Sequence, residues 1–353
     1  MRIRVGLVGL GNDWEVRHRP ALRALSDRFE VRAVCEQVAL RAEQAAREFN
    51  ATAVEGYRAL ARREDVDAVL ILAPQWCGPL PIAAACDAGK AIYCAAGMDF
   101  DPEQACWIKQ QIEQSGVSFM AAFPRRHAPA TTRLKELIAT RLGPPRLVFC
   151  HRRMPAEESS GAHLHLVRRA AMHELVELVD WCAYVIGRPA TSVIGMRHRP
   201  DAPHEHADDD YQAMNLQFAA PTAAQASAMA QISCGRYMPA TWPEAMSFRP
   251  PAALQVACTD GIAFIDLPTT LVWFDKAGRH IESLESERPV GELLLGHFFR
   301  SVTSLVRNTH DLEEAYRALT VVLKAQQSEE EGRRIELECE ESPAGKSIDD
   351  PKQ

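Results

Sequence analysis

Between residues 3 and 123 the chain alternates short apolar runs with amphipathic ones, and this alternation restricts the fold more than any other feature of the sequence. The runs "IRVGLVG", "EVRAVCE", "DAVLILA", "AIYCA" and "VSFMAAF" read as strands apolar enough to be covered on both faces. Between them a helix is predicted from about Arg19 to Ser26, followed by "ALRAEQAAREF", "GPLPIAAACDAG" and "DPEQACWIKQQIEQSG". Apolar strands separated by amphipathic helices form a parallel sheet with helices on both faces. The expectation is an α/β, doubly wound Rossmann domain over residues 1–123.

Beyond 123 the pattern changes. After a helix at about Ala130 to Thr140 come longer segments with period-two alternation: "PRLVFCHR", "ATSVIGMRH", "YQAMNLQFAA", "ASAMAQISCGRY" and "ALQVACTDGIAFIDL". One long helical stretch, Leu164 to Ile186, interrupts them, and helices near 292–307 and 311–331 follow. This predicts an α+β domain with a mostly antiparallel open sheet over 124–338, serving substrate binding and oligomerisation, with the final helix free to pack back on the first domain. Residues 339–353 read as a polar, flexible tail. At 353 residues the chain exceeds what one core usually holds, which agrees with two domains.

The formal charge of −7 disfavours nucleic acid and anionic membranes as partners and leaves small molecules. The opening apolar run is too short for a leader or a span, and no later segment approaches roughly 20 apolar residues, so a cytoplasmic protein is expected. The ten cysteines include no C-x-x-C pair, which signals neither a zinc knuckle nor a disulfide framework.

Gly9, Leu10 and Gly11 follow the first strand directly, where a tight turn would let a pyrophosphate approach backbone N–H groups, with Asn12 and Asp13 completing the turn. The third glycine of such a fingerprint is replaced by Trp14, which also suits a plain strand-to-helix turn. The second strand ends in Cys35-Glu36, and a carboxylate there can accept both ribose hydroxyls while repelling a 2′-phosphate. The pair favours NAD as cofactor.

The segments "VGLVGLG", "VRAVCE", "VDAVLILAPQ", "AGKAIYCAAG", "FPRRHAPATTRLKELI" and "EEAYRALTVVLKAQQSEEEGRRIEL", in this order over about residues 2–338, resemble the Gfo/Idh/MocA family of NAD(P)-dependent oxidoreductases. The resemblance implies hydride transfer to or from a sugar, cyclitol or related hydroxy compound. It also implies cofactor contacts at Ala73, Pro74 and Gln75, where the family usually has Thr-Pro-Asn, and at Cys94. In the family the loop answering to 94–97 reads Cys-Glu-Lys-Pro, and its lysine assists proton transfer. Here the chain has Cys94, Ala95, Ala96 and Gly97.

The family also carries Asp-x-Gly-x-His-x-x-Asp on a helix of the second domain. Alignment on Tyr184 and Gly187 sets His173, Glu177 and Asp180 on the first Asp, the His and the last Asp; alignment on His173 as the histidine puts Arg169 first. Either way the three stand at i, i+4 and i+7 on one helix face, where a histidine beside a carboxylate can act as general acid or base. They are the expected catalytic residues, with no metal site assigned. A solvated, ion-paired face is the structural alternative. Arginine pairs at 125–126, 152–153 and 168–169, with Arg236 and Arg249, would suit an anionic substrate group if they converge. "HEHADDD" at 204–210 reads as a loop.

The reading is thus an NAD(H)-dependent oxidoreductase with non-standard catalytic residues, forming a homodimer or homotetramer through a sheet face that its helices are too few to cover. The rivals are a catalytically silent NAD-binding or regulatory protein and a non-redox lyase or hydrolase of the same fold. The loop "CAAG" favours the rivals.

Overall fold

A computed structural model describes residues 2–98, 100–156, 164–198, 210–220, 227–248, 252–285, 287–304 and 310–337. The predicted tail at 339–353, most of the 204–210 segment and Arg249 lie outside these residues, as do the side chains of Gln75, Arg168 and Arg169.

The first sheet contains β1 (Ile3–Val8), β2 (Phe29–Cys35), β3 (Thr52–Ala53), β4 (Ala68–Ile71), β5 (Ala91–Cys94) and β6 (Phe119–Ala121). All pairs are parallel and the spatial order is β3-β2-β1-β4-β5-β6. That is the Rossmann order, and its direction reverses between β1 and β4, the point where such sheets open a crevice at their carboxyl ends. The edge strand β3 is two residues long and was not evident from the sequence pattern.

The second sheet holds β7 (Pro145–Ala156), β8 (Ala190–His198), β9 (Asp210–Phe218), β10 (Met229–Pro239), β11 (Leu254–Cys258), β12 (Ile262–Ile265), β13 (Thr270–Asp275), β14 (Gly278–Ser283) and β15 (Ile335–Glu336). Their order is β14-β13-β12-β11-β7-β10-β9-β8-β15, antiparallel except for the central pair β7 and β10. The hairpin β13–β14 extends the sheet beyond the strands read from the sequence.

The long helix spans Leu164–Ile186 and packs on β7 and β10, while the helix His310–Glu331 packs on β8. They cover one face of the sheet. The other face leaves Leu147, Ile194, Met196, Met229 and Ile281 exposed, alternating along their strands with buried residues such as Val148, Val193 and Ala230. The period of two thus separates a packed face from an open one.

The penultimate helix, Val290–Thr303, returns to the first sheet. Its Leu294, Leu295 and Phe298 share a core with Ile3, Leu7, Phe29 and Tyr93. Gly291 permits the approach, because a Cβ there would lie 2.5 Å from the carbonyl oxygen of Arg17. Among the described residues no helix is long and apolar enough to cross a membrane.

Candidate active site

The carboxyl end of β1 meets that of β4 at the reversal point. Gly9 and Gly11 take φ values of +65° and +67°, in the left-handed region that L side chains rarely adopt. A Cβ on Gly11 would stand 2.5 Å from the Leu72 carbonyl oxygen, and one on Gly9 would stand 2.8 Å from Cβ of Ala73. Both glycines are therefore fixed by backbone conformation and by close packing.

Trp14 replaces the third glycine without a clash because the chain does not enter an α-helix at that point. Residues Trp14–His18 form a π-helical turn before the helix Arg19–Ala24, and the indole packs inward with its ring 5.9 Å from that of Phe49. Helix-to-strand closeness, the usual reason for that glycine, is not required here.

Glu36 lies at the end of β2. Its Oε2 accepts the Leu10 amide at 2.7 Å and its Oε1 the Gln37 amide at 2.8 Å, so the carboxylate ties the glycine turn to the second strand. Each oxygen retains a lone pair for a ribose hydroxyl. Arg41 reaches the same place, with a guanidinium nitrogen 3.5 Å from the Gly11 carbonyl. These residues, with Asn12, Gln37, Tyr57, Ala73 and Cys77, line a cleft of about 330 Å³. Asp13 pairs with Arg17 at 2.7 Å. The positive-φ turn, the open backbone and the acidic residue after β2 fit a dinucleotide: the turn would hold the pyrophosphate and Glu36 the adenosine ribose.

Ala73 ends the fourth strand's extension, and Pro74 opens a short helix, Pro74–Cys77. Cys94 is buried at the end of β5. The loop after it stays close to the sheet, with the Ala95 amide donating to the Ile71 carbonyl at 2.9 Å. Ala96 is buried, and a Cβ on Gly97 would lie 2.9 Å from Cγ1 of Val176 and 3.1 Å from Cε1 of Phe123. The loop is thus pressed against the long helix one residue before Glu177, and it contributes no titratable group there.

The structure separates the three helix-face residues. The His173 side chain is 28% exposed and its Nε2 lies 3.4 Å from Oε1 of Glu177, whereas the side chains of Glu177 and Asp180 are 8% and 2% exposed. The turn Pro124–His127, directly after β6, aims two arginines at that helix. Arg125 pairs with Glu177 and, at 2.8 Å, with Glu174; Arg126 grips both oxygens of Asp180 and also pairs with Glu314 of the C-terminal helix. Burial opposes the charged form of Glu177, but Arg125 and His173 outweigh it and hold the carboxyl at about 2. Glu177 is a fixed anion near neutrality and can orient His173 without exchanging a proton itself. Burial dominates at Asp180 and pushes its carboxyl up to about 7 against the pull of Arg126.

Of the arginine pairs, the first, Arg125 and Arg126, turns to this helix and is consumed by the chain's own carboxylates. Arg152 adds to the cluster, 3.6 Å from Glu174. The sequence singled out the arginines and the helix face separately. Glu174, Glu314 and the turn's His127, whose imidazole burial and His297 push down to about 4, were not picked out; the local pattern carries no signal that links them.

The sequence model described as "Oxidoreductase family, NAD-binding Rossmann fold", Gfo/Idh/MocA, matches residues 3–123. Over that domain the chain is similar to the Gfo/Idh/MocA oxidoreductase family. Among curated proteins, it is 31% identical over 125 residues to D-xylose 1-dehydrogenase (NADP(+)) 2 of Haloferax volcanii, covering 35% of this chain and 38% of that one. It is 28% identical over 186 residues to inositol 2-dehydrogenase 3 of Saccharopolyspora erythraea, covering 51% and 54% respectively. The matches to these two relatives thus span between about two fifths and about half of their lengths. An NAD binding oxidoreductase from Klebsiella pneumoniae shares the fold over 96% of this chain and all of its own, with a TM-score of 0.77 at 17% identity.

Proposed function

We propose that the chain is a cytoplasmic NAD(H)-dependent oxidoreductase acting on a hydroxyl of a sugar, cyclitol or related compound, with residues 1–123 as the dinucleotide half and 124–338 as the substrate half. The observation that carries this reading is the cleft formed by Gly9, Gly11 and Glu36 at the sheet's reversal point. Similarity to xylose and inositol dehydrogenases supports the substrate class. When bound, the nicotinamide would accept or donate the hydride. This chain's own residues would hold the pyrophosphate over Gly9 to Asp13 and the ribose on Glu36. His173, oriented by the permanent anion of Glu177, would take up or release the hydroxyl proton at an imidazole nitrogen. Arg125 stays protonated and cannot do that work.

Glu36 favours NAD, whereas Arg41 in the same cleft is the residue type that accommodates a 2′-phosphate. Titration of NADH and NADPH into the purified protein decides between them. Glu36→Ala removes a charge-assisted contact, so NADH affinity should fall at least roughly tenfold. Equal titrations of wild type and variant would remove the assignment, and no binding of either cofactor would remove the oxidoreductase reading.

A silent, cofactor-binding protein is the second reading, favoured by the absence of any titratable group at Ala95, Ala96 and Gly97. A screen of polyols and sugar acids for cofactor reduction separates the two. The open face of the second sheet supports a homo-oligomer, homodimer or homotetramer, which light scattering at micromolar concentration tests; a strict monomer would rule it out.

A further inference from the structure

A second cleft, of about 410 Å³, lies between the end of the long helix, the helix His310–Glu331 and the strands β8 and β9. It shares no lining residue with the dinucleotide cleft. Its volume lies within the range of ligand pockets.

Its floor is apolar, formed by Val179, Leu216, Phe218, Ala318 and Val321, all buried. Among the described residues its walls carry Arg126, Lys135, Arg188 and Arg317 against Asp180 and Glu314 alone. Both of those carboxylates are already engaged by Arg126. Among the described residues Lys135 and Arg188 pair with no carboxylate, and they use part of their donors on backbone carbonyls: Lys135 Nζ on Tyr184 at 3.0 Å, and Arg188 Nη1 on Ala219 at 2.7 Å. Burial pushes the Lys135 ammonium down, which is the mark of a cation short of a counter-charge. Arg317, exposed at the mouth, makes no hydrogen bond or ion pair to any described residue.

We propose that this cleft binds a small carboxylate with an apolar body, the body on Leu216 and Phe218 and the carboxylate between Lys135, Arg188 and Arg317. An inorganic anion would use only the rim, and a neutral apolar molecule would leave the cations unpaired; the combination selects an amphiphilic anion. The cleft also touches the proposed active site through one helix. Asp180 faces it and Glu177 faces Arg125 one turn earlier, while Arg125 and Arg126 are adjacent in the chain. A carboxylate drawn toward Arg126 would compete with Asp180 and Glu314 for its donors, so occupancy of this site would act on the orientation of the His173–Glu177 face.

The test is calorimetric titration of sodium hexanoate into the cofactor-free protein, with sodium chloride and hexan-1-ol as controls. Saturable binding of hexanoate is expected, with neither control binding. Arg317→Ala should weaken it by about tenfold and Arg317→Lys should restore part of the loss, as a charge-assisted contact requires. Because Arg317 is exposed and has no described partner, its variants should melt with the wild type in the absence of hexanoate. No saturable heat, equal binding of hexan-1-ol, or an unchanged Arg317→Ala would overturn the proposal. The measurement needs neither cofactor nor turnover, so it can succeed where the NADH titration fails, and the reverse.

Discussion

Glu177→Gln tests whether the helix-face carboxylate is a fixed anion. Its pKa of about 2, against 4.5 for a free glutamate, means that the folded state prefers the charged form. Converted through linkage, that gap is about 3 kcal/mol of folding stability near neutral pH. The sign follows from the depressed value. The contribution is complete above 4.5 and is lost as pH falls toward 2, because the unfolded chain then takes up the proton first. Removing one member of a buried pair typically costs roughly 3–5 kcal/mol. Here Arg125 keeps Glu174 at 2.8 Å, which lowers the expected loss for Glu177→Gln to about 2–3 kcal/mol. Urea unfolding of both proteins near neutrality measures this difference, and repeating it down the acid limb should show the two stabilities converging. A variant as stable as wild type near neutrality, or a difference that does not shrink as pH falls from 4.5 toward 2, would refute the assignment of Glu177 as a charged partner of Arg125.

Two further outcomes concern the chemistry. His173→Ala should lower turnover on any substrate found in the screen by roughly 10² to 10⁴ while leaving NADH affinity unchanged, as expected for loss of a general acid–base; unchanged turnover would assign the proton to another group. Ala96→Lys should create no family-like activity and should destabilise the protein in thermal melts, because position 96 is buried and the following Gly97 has no space for a side chain against Val176 and Phe123. A stable Ala96→Lys variant with new turnover would show instead that the loop can still accept the lysine.

The sequence alone determined the parallel first sheet, the open second sheet and the position of the glycine turn, because each depends on periodicity or on a backbone requirement that is local. The run of Gly9, Leu10 and Gly11 marked the turn, and the apolar strands around it required helices on both faces. The long helix Leu164–Ile186 was evident from its apolar spacing, as was the face shared by His173, Glu177 and Asp180. The hairpin β13–β14 and the edge strand β3 were missed, the latter because two residues carry no period. Tertiary structure alone decided what the helix face can do. Charge complementarity has no sequence address: Arg125 and Arg126 could have turned toward substrate, but packing of the turn after β6 against the long helix gives them to Glu174, Glu177 and Asp180, and the C-terminal helix adds Glu314. The same burial that fixes these pairs removes Glu177 from proton exchange near neutrality and leaves His173, half-buried, as the least buried member of the face, a distinction that desolvation makes and that residue spacing cannot carry.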